Sequence, residues 1–144
     1  MLIGAHPGSL NEKRRVAIPK KFLNELGEKP ILAKWYENCL ILAGSDFWGV
    51  ILDKLVGKDK LAGLGVRNIE RFILGSAFEL EPDGQGRVVI PEILANYAGL
   101  NKDLVFVGLT NRVEIWSREV WDKLSSELSR TTKEYIESLA KNEK

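Results

Sequence analysis

The chain has 144 residues, 44% of them apolar and 28% charged, a balance from which a packed core is expected rather than disorder. Its longest apolar runs reach only about six residues, short of the roughly 20 that span a membrane, and MLIGAHPGSL lacks the basic-then-apolar form of a signal peptide. A formal net charge of +1 and a single cysteine, Cys39, argue against a uniformly basic polyanion binder and an internal disulfide, and a reducing, cytoplasmic setting is expected.

The first predicted element is a turn at Asn11–Arg14, leading into a short alternating strand, Arg15–Ile18. Pro19 ends that strand and suits the first position of a helix of roughly two turns, closed by Gly27. An apolar strand, Ile31–Trp35, a tight turn at Glu37-Asn38 and a strand, Leu40–Ala43, follow. Ser45 is placed as the N-cap of the next helix, with Asp46 in its first turn. Val66–Leu74 has a helical rhythm (Val66, Ile69, Phe72, Ile73) and Gly75 follows it.

From Ala77 the same order recurs. A strand at Ala77–Leu80 precedes the turn Asp83–Gly86 and the strand Arg87–Ile90; Pro91 and Gly99 bracket a second short helix. Strands at Leu104–Val107 and Val113–Trp116 flank a turn at Thr110-Asn111, and Ser117 is placed as a second N-cap before Arg118-Glu119-Val120-Trp121. Ser129–Lys144 is polar and helix-capable, with Tyr135, Ile136 and Leu139 as a thin apolar stripe. His6, beside Pro7, reads as a turn residue.

This recurrence is an internal duplication. SLNEKRRVAIP (Ser9–Pro19) aligns with EPDGQGRVVIP (Glu81–Pro91), placing Asn11 on Asp83, Arg15 on Arg87 and Pro19 on Pro91. Further on, Leu42 falls on Ile115 and Trp48 on Trp121. The division expected is a first repeat at 1–72, a second at 73–128 and a tail at 129–144. Strands this short leave each half little core of its own. The expected fold is therefore α+β, mainly β: two halves intertwined about a pseudo-twofold axis into a β-barrel with short peripheral helices. Open strand edges and exposed tryptophans would then favour a homo-oligomer.

Charge is unevenly divided. Residues 1–72 hold 12 Lys/Arg and 8 Asp/Glu, net +4, whereas residues 73–144 hold 9 and 12, net −3. Lys13, Arg14, Arg15, Lys20 and Lys21 form the densest basic stretch, either a solvated face or a polyanion contact. In the second turn Gly86 permits a positive φ and the Asp83 carboxylate can bond the turn's N–H groups. Arg87 then emerges on a strand edge, where a guanidinium forks onto a phosphate or a guanine, or else pairs with a carboxylate and braces the turn. The first turn keeps the spacing with Asn11 for Asp83 and Arg14 for Gly86, so a different shape is expected there. Lys13 and Arg14 are candidate phosphate contacts. Trp35, Trp48, Trp116 and Trp121 read as core or interface residues. A lone His and a lone Cys make neither a catalytic pair nor a metal set. Gly63-Leu64-Gly65 lacks the third glycine of a dinucleotide fingerprint. No cofactor, metal or small-molecule substrate is expected, and an enzyme is not.

D-x-x-G-R (Asp83–Arg87) followed by apolar residues and Pro, matched about 70 residues earlier by the same spacing with Asn11 for Asp and Arg14 for Gly, resembles the MraZ family from about Met1 to Leu128. The resemblance implies two AbrB-like swapped-hairpin half-domains on one chain. It also implies a nucleoid-associated transcriptional regulator, usually a repressor, of the bacterial division and cell-wall gene cluster. Such proteins form rings whose basic loops bind an operator of tandem short repeats, and Arg15 and Arg87 map onto the family's DNA-contacting arginines. An oligomeric scaffold or antitoxin-like interaction module is the alternative.

Overall fold

The computed structural model describes residues 1–56 and 63–142. An eight-residue strand that the pattern did not announce, β1 (Leu2–Ser9), opens the chain and contains His6. It is followed by β2 (Arg15–Ala17), α1 (Lys20–Leu26), β3 (Ile31–Trp35), β4 (Cys39–Ala43), α2 (Ser45–Val56) and α3 (Leu64–Leu74). The second copy supplies β5 (Phe78–Glu79), β6 (Arg87–Val89), α4 (Glu92–Tyr97), β7 (Asp103–Thr110), β8 (Val113–Ser117) and α5 (Arg118–Asn142).

Six strands form one antiparallel sheet in the order β1-β7-β8-β4-β3-β5, while β2 and β6 pair separately as a two-stranded ribbon. Each copy lends its leading strand to the other copy's hairpin: β1 pairs with β7, and β5 with β3. The hairpins meet where Leu40 pairs with Ile115, Ile41 with Glu114 and Leu42 with Val113. Under the 73-residue offset Leu40 corresponds to Val113 and Leu42 to Ile115. The register therefore exchanges equivalents about Ile41 and Glu114, and the pseudo-twofold axis passes there. Val16 opposite Val88 is the matching crossing in the ribbon.

The copies are thus intertwined, and among the described residues the strands do not close into a barrel. The sheet runs open from β1 to β5. The ribbon's strands are only three residues long, and their backbones bond each other and the neighbouring turns, so the ribbon docks by side chains rather than extending the ladder. Its Val16 and Val88 join Phe22, Leu94, Phe106 and Leu42 in a cluster on one face of the sheet. Ile41, Trp35, Val107 and Trp116 lie on the other, under Phe47 and Trp48 of α2 and Ile73 of α3. Covered on both faces, β4 is buried along its whole length.

Several local expectations shift. Pro19 and Pro91 stand just before their helices, at the cap, rather than at the first helical position. Ser45 is the first residue of α2 rather than its cap, whereas Ser117 caps α5, its Oγ accepting the Val120 N–H at 3.2 Å. The strand expected at Ala77–Leu80 shrinks to two residues. The helix after the second hairpin and the polar tail are one 25-residue helix. The divisions drawn at 72/73 and 128/129 fall inside α3 and α5, and residues 143–144 of the tail lie outside the described ones. Trp35, Trp48 and Trp116 are buried and Trp121 packs against them, so exposed tryptophans supply no drive for assembly. No described helix is long and apolar enough to cross a membrane.

Candidate nucleic-acid interface

The two repeated turns sit at opposite ends of the β2–β6 ribbon, and their backbones match bond for bond. Asn11 Oδ1 accepts the N–H groups of Lys13 at 2.9 Å and Arg15 at 2.8 Å. Asp83 Oδ1 accepts those of Gln85 and Arg87, both at 2.9 Å. Arg14 N–H bonds the Asn11 carbonyl and Gly86 N–H the Asp83 carbonyl, each at 2.9 Å. Arg14 takes φ 59° and Gly86 φ 75°. The difference in shape expected from Arg14 is therefore absent: the acceptor atom of Asn or Asp dictates the turn, and the arginine follows it into the left-handed region.

The turns are stitched across the axis. Ile18 N–H donates to the Gly86 carbonyl at 3.0 Å, and Ile90 N–H to the Arg14 carbonyl at 2.8 Å. Arg14 Nε also donates to the Ile90 carbonyl at 3.0 Å, which leaves this side chain half-buried with part of its guanidinium committed. At Gly86 a Cβ would lie 3.0 Å from Leu23 Cδ2. Under the 72-residue offset the pair corresponding to Gly86 and Leu23 is Arg14 and Ala95, so the copy that carries a Cβ at the turn has the smaller side chain at the equivalent helix position.

Alternation along the ribbon decides what solvent meets. Val16 and Val88 point inward, and Arg15, Ala17, Arg87 and Val89 point outward. Arg15 pairs with Val89 and Ala17 with Arg87. The two arginines are therefore diagonal neighbours on one exposed face, roughly 7–8 Å apart. Ala17 and Val89 complete that face, Val89 being 42% exposed. The motif reading passed over both, although period-two alternation from Arg15 and Arg87 would have found them. Lys13 is exposed at the first turn. Lys20 and Lys21 are exposed on α1, with Lys21 Nζ 5.6 Å from the Phe22 ring centre. A notch of about 640 Å³ beside the first turn is bordered by Asn11, Glu12, Arg14, Asn101 and Lys102.

Electrostatics separate the turns where geometry does not. Arg87 Nε donates to Asp83 Oδ2 at 2.9 Å, with the two side chains 43% and 38% exposed. The Arg87 backbone N–H, together with that of Gln85 and the guanidinium, holds the Asp83 carboxyl below its ordinary value. Bracing of Arg87 by a carboxylate, one of the two roles foreseen for it, is therefore present, and its terminal nitrogens make no bond among the described residues. The Arg15 guanidinium has neither hydrogen bond nor ion pair among the described residues.

Residues 73–141 match the family model described as "MraZ protein, putative antitoxin-like". Over 139 residues, 96% of either chain, the sequence is 42% identical to a protein named "Transcriptional regulator MraZ" from Caldanaerobacter subterraneus subsp. tengcongensis. A protein of the same name from Syntrophomonas wolfei is 38% identical over an equal share. One from Clostridium tetani is 42% identical over 123 residues, 85% of this chain and 86% of that one.

Proposed function

Because the chain belongs to the MraZ family, we propose that it is a transcriptional regulator that binds DNA sequence-specifically and represses the bacterial division and cell-wall gene cluster. The reading places it in the cytoplasm, on the nucleoid, as a homo-oligomeric ring whose ribbons engage tandem short repeats in an operator. It is a binding protein rather than an enzyme.

One observation carries the proposal. Arg15 and Arg87 stand as diagonal neighbours on the outer face of a two-stranded ribbon. The major groove admits a two-stranded ribbon, arginine forks onto guanine O6 and N7, and small apolar groups meet thymine methyls. Ala17 and Val89 supply those apolar groups here. Lys13 and Arg14 flank the ribbon as phosphate contacts, which position rather than specify. With net charge near zero, several ribbons acting together must supply the affinity.

The test is fluorescence anisotropy on the duplex upstream of the chain's own gene and on a scrambled duplex. The upstream duplex is expected to bind about a thousandfold more tightly. Arg87→Ala loses about 1–3 kcal/mol per engaged loop and flattens one base preference. Lys13→Ala weakens both duplexes alike and lowers the salt slope by about one per engaged loop. Wild-type affinity and specificity in Arg87→Ala, with only a lower Tm, would make Arg87 a turn brace and refute its role in reading. The alternative of an oligomeric scaffold or antitoxin-like module has its own observation: α5 exposes Leu128, Tyr135, Ile136 and Leu139. It would be favoured if neither duplex bound.

A further inference from the structure

We propose that the two turns divide DNA recognition between them, and that the residue at positions 11 and 83 sets the division. The Asp83–Arg87 turn presents an oriented, charge-compensated fork that reads a base edge. The Asn11–Arg15 turn presents an untethered arginine that grips phosphate. This inference rests on the DNA-binding reading above and goes beyond it by making the two arginines unequal.

The backbone bonds of the turns are the same, so the difference lies in one atom. In both turns Oδ1 is occupied by two backbone N–H groups. Those two donors fix the Asn11 amide with its oxygen toward the turn. The remaining atom is Oδ2 in Asp83, which accepts Arg87 Nε at 2.9 Å. In Asn11 it is Nδ2, a donor, which cannot accept Arg15 Nε. Arg87 is thus held at its Nε with both terminal nitrogens left over, and that end can meet guanine O6 and N7 together. Arg15 has no such hold, and a mobile cation suits phosphate, whose oxygens accept from many directions.

Charge runs the same way. Residues 11–15 (one Glu, one Lys, two Arg) carry +2, and residues 83–87 (one Asp, one Arg) carry 0. Lys102, across the notch beside Asn11, adds another cation on the first side. Arg14 does not dilute this charge, because its partner is the neutral carbonyl of Ile90. The first turn therefore attracts any duplex, while the second discriminates only at contact.

The test uses full-length protein and charge-conserving variants, read on operator and scrambled duplexes. Arg15→Lys is expected to keep operator affinity within about threefold and to keep specificity, since a point charge suffices at phosphate. Arg87→Lys is expected to lose at least tenfold on the operator and nothing on the scrambled duplex. Asp83→Asn should likewise lower the ratio of the two affinities while tightening binding to scrambled DNA. Asn11→Asp should weaken scrambled binding and leave the ratio intact. Both swaps keep the acceptor that shapes the turn, and thermal unfolding within a few degrees of wild type verifies it. Without DNA, exchange of the Arg87 Nε–H with water should be slower than that of Arg15. Equal losses in the two Lys variants, an unchanged ratio in Asp83→Asn, or equal Nε–H exchange would overturn the division. The wild-type measurement is read first: failure to distinguish the duplexes would overturn the DNA-binding reading and the division with it.

Discussion

Arg14 is bonded to Ile90 twice: its carbonyl oxygen accepts the Ile90 N–H at 2.8 Å, and its Nε donates to the Ile90 carbonyl at 3.0 Å. Across the axis Gly86 makes only the first kind of bond, to Ile18. A non-glycine residue at φ 59° is strained, and the guanidinium offsets that strain by clamping the two copies together.

Substitutions at Arg14 separate the two effects. Arg14→Ala keeps the strain and loses the charged bond, so unfolding free energy should fall by about 1–3 kcal/mol. Arg14→Gly also loses the bond but relaxes the backbone, regaining about 1 kcal/mol. Urea unfolding should rank wild type above Gly and Gly above Ala. An Ala variant as stable as wild type would deny the clamp any weight.

Gly86 and Leu23 should be energetically coupled. Gly86→Ala puts a Cβ at φ 75°, 3.0 Å from Leu23 Cδ2, and should cost about 1–3 kcal/mol. In a Leu23→Ala background, which copies the Arg14 and Ala95 pairing, the same change should cost about 1 kcal/mol less. Equal costs in both backgrounds would show that the helix does not press on the turn.

Two carboxylates should tie stability to pH with opposite signs. Burial raises the pKa of Glu114, against the pull of the Trp116 Nε1–H at 3.0 Å and of Arg112. Its contribution is full below the ordinary value of 4.5 and is lost as pH rises through the raised one. Glu114→Gln should therefore gain in Tm on wild type across that rise and hold level below it. Asp83 lies below its ordinary 3.8, chiefly through the Arg87 N–H, so its contribution is present above that value and lost as pH falls through the lowered one. The Tm deficit of Asp83→Asn should accordingly vanish in acid. Curves for both variants that run parallel to wild type would refute these assignments.

Assembly should depend on strand edges rather than tryptophans. Among the described residues the edges of β1 and β5 stay open, and Ile3 on β1 is 57% exposed. Light scattering at tens of micromolar should report a homo-oligomer larger than a dimer; a clean monomer would count against the ring. Cutting an operator from several repeats to one should cost orders of magnitude in affinity. Equal affinity for one repeat and for three would rule out multivalent binding.

What the amino-acid sequence determined by itself is whatever local rules control. The duplication, the hairpin turns at Glu37-Asn38 and Thr110-Asn111, the Ser117 cap and the placing of Arg15 and Arg87 all follow from short-range chemistry: left-handed turn residues, side-chain acceptors and period-two alternation. The strand β1 was not legible, because Gly4, Pro7 and Gly8 erase its alternation. It forms because β7 lies alongside, with the Phe106 ring so close that a Cβ at Gly8 would lie 2.6 Å from it. Only the tertiary structure decided that each copy completes the other's hairpin, that the sheet stays open, and that Arg15 and Arg87 are neighbours although 72 residues apart. It also decided which arginine is held. Asn and Asp at one turn position look alike to a turn rule, and they differ only once an arginine's Nε is brought to the atom that Oδ1 leaves over.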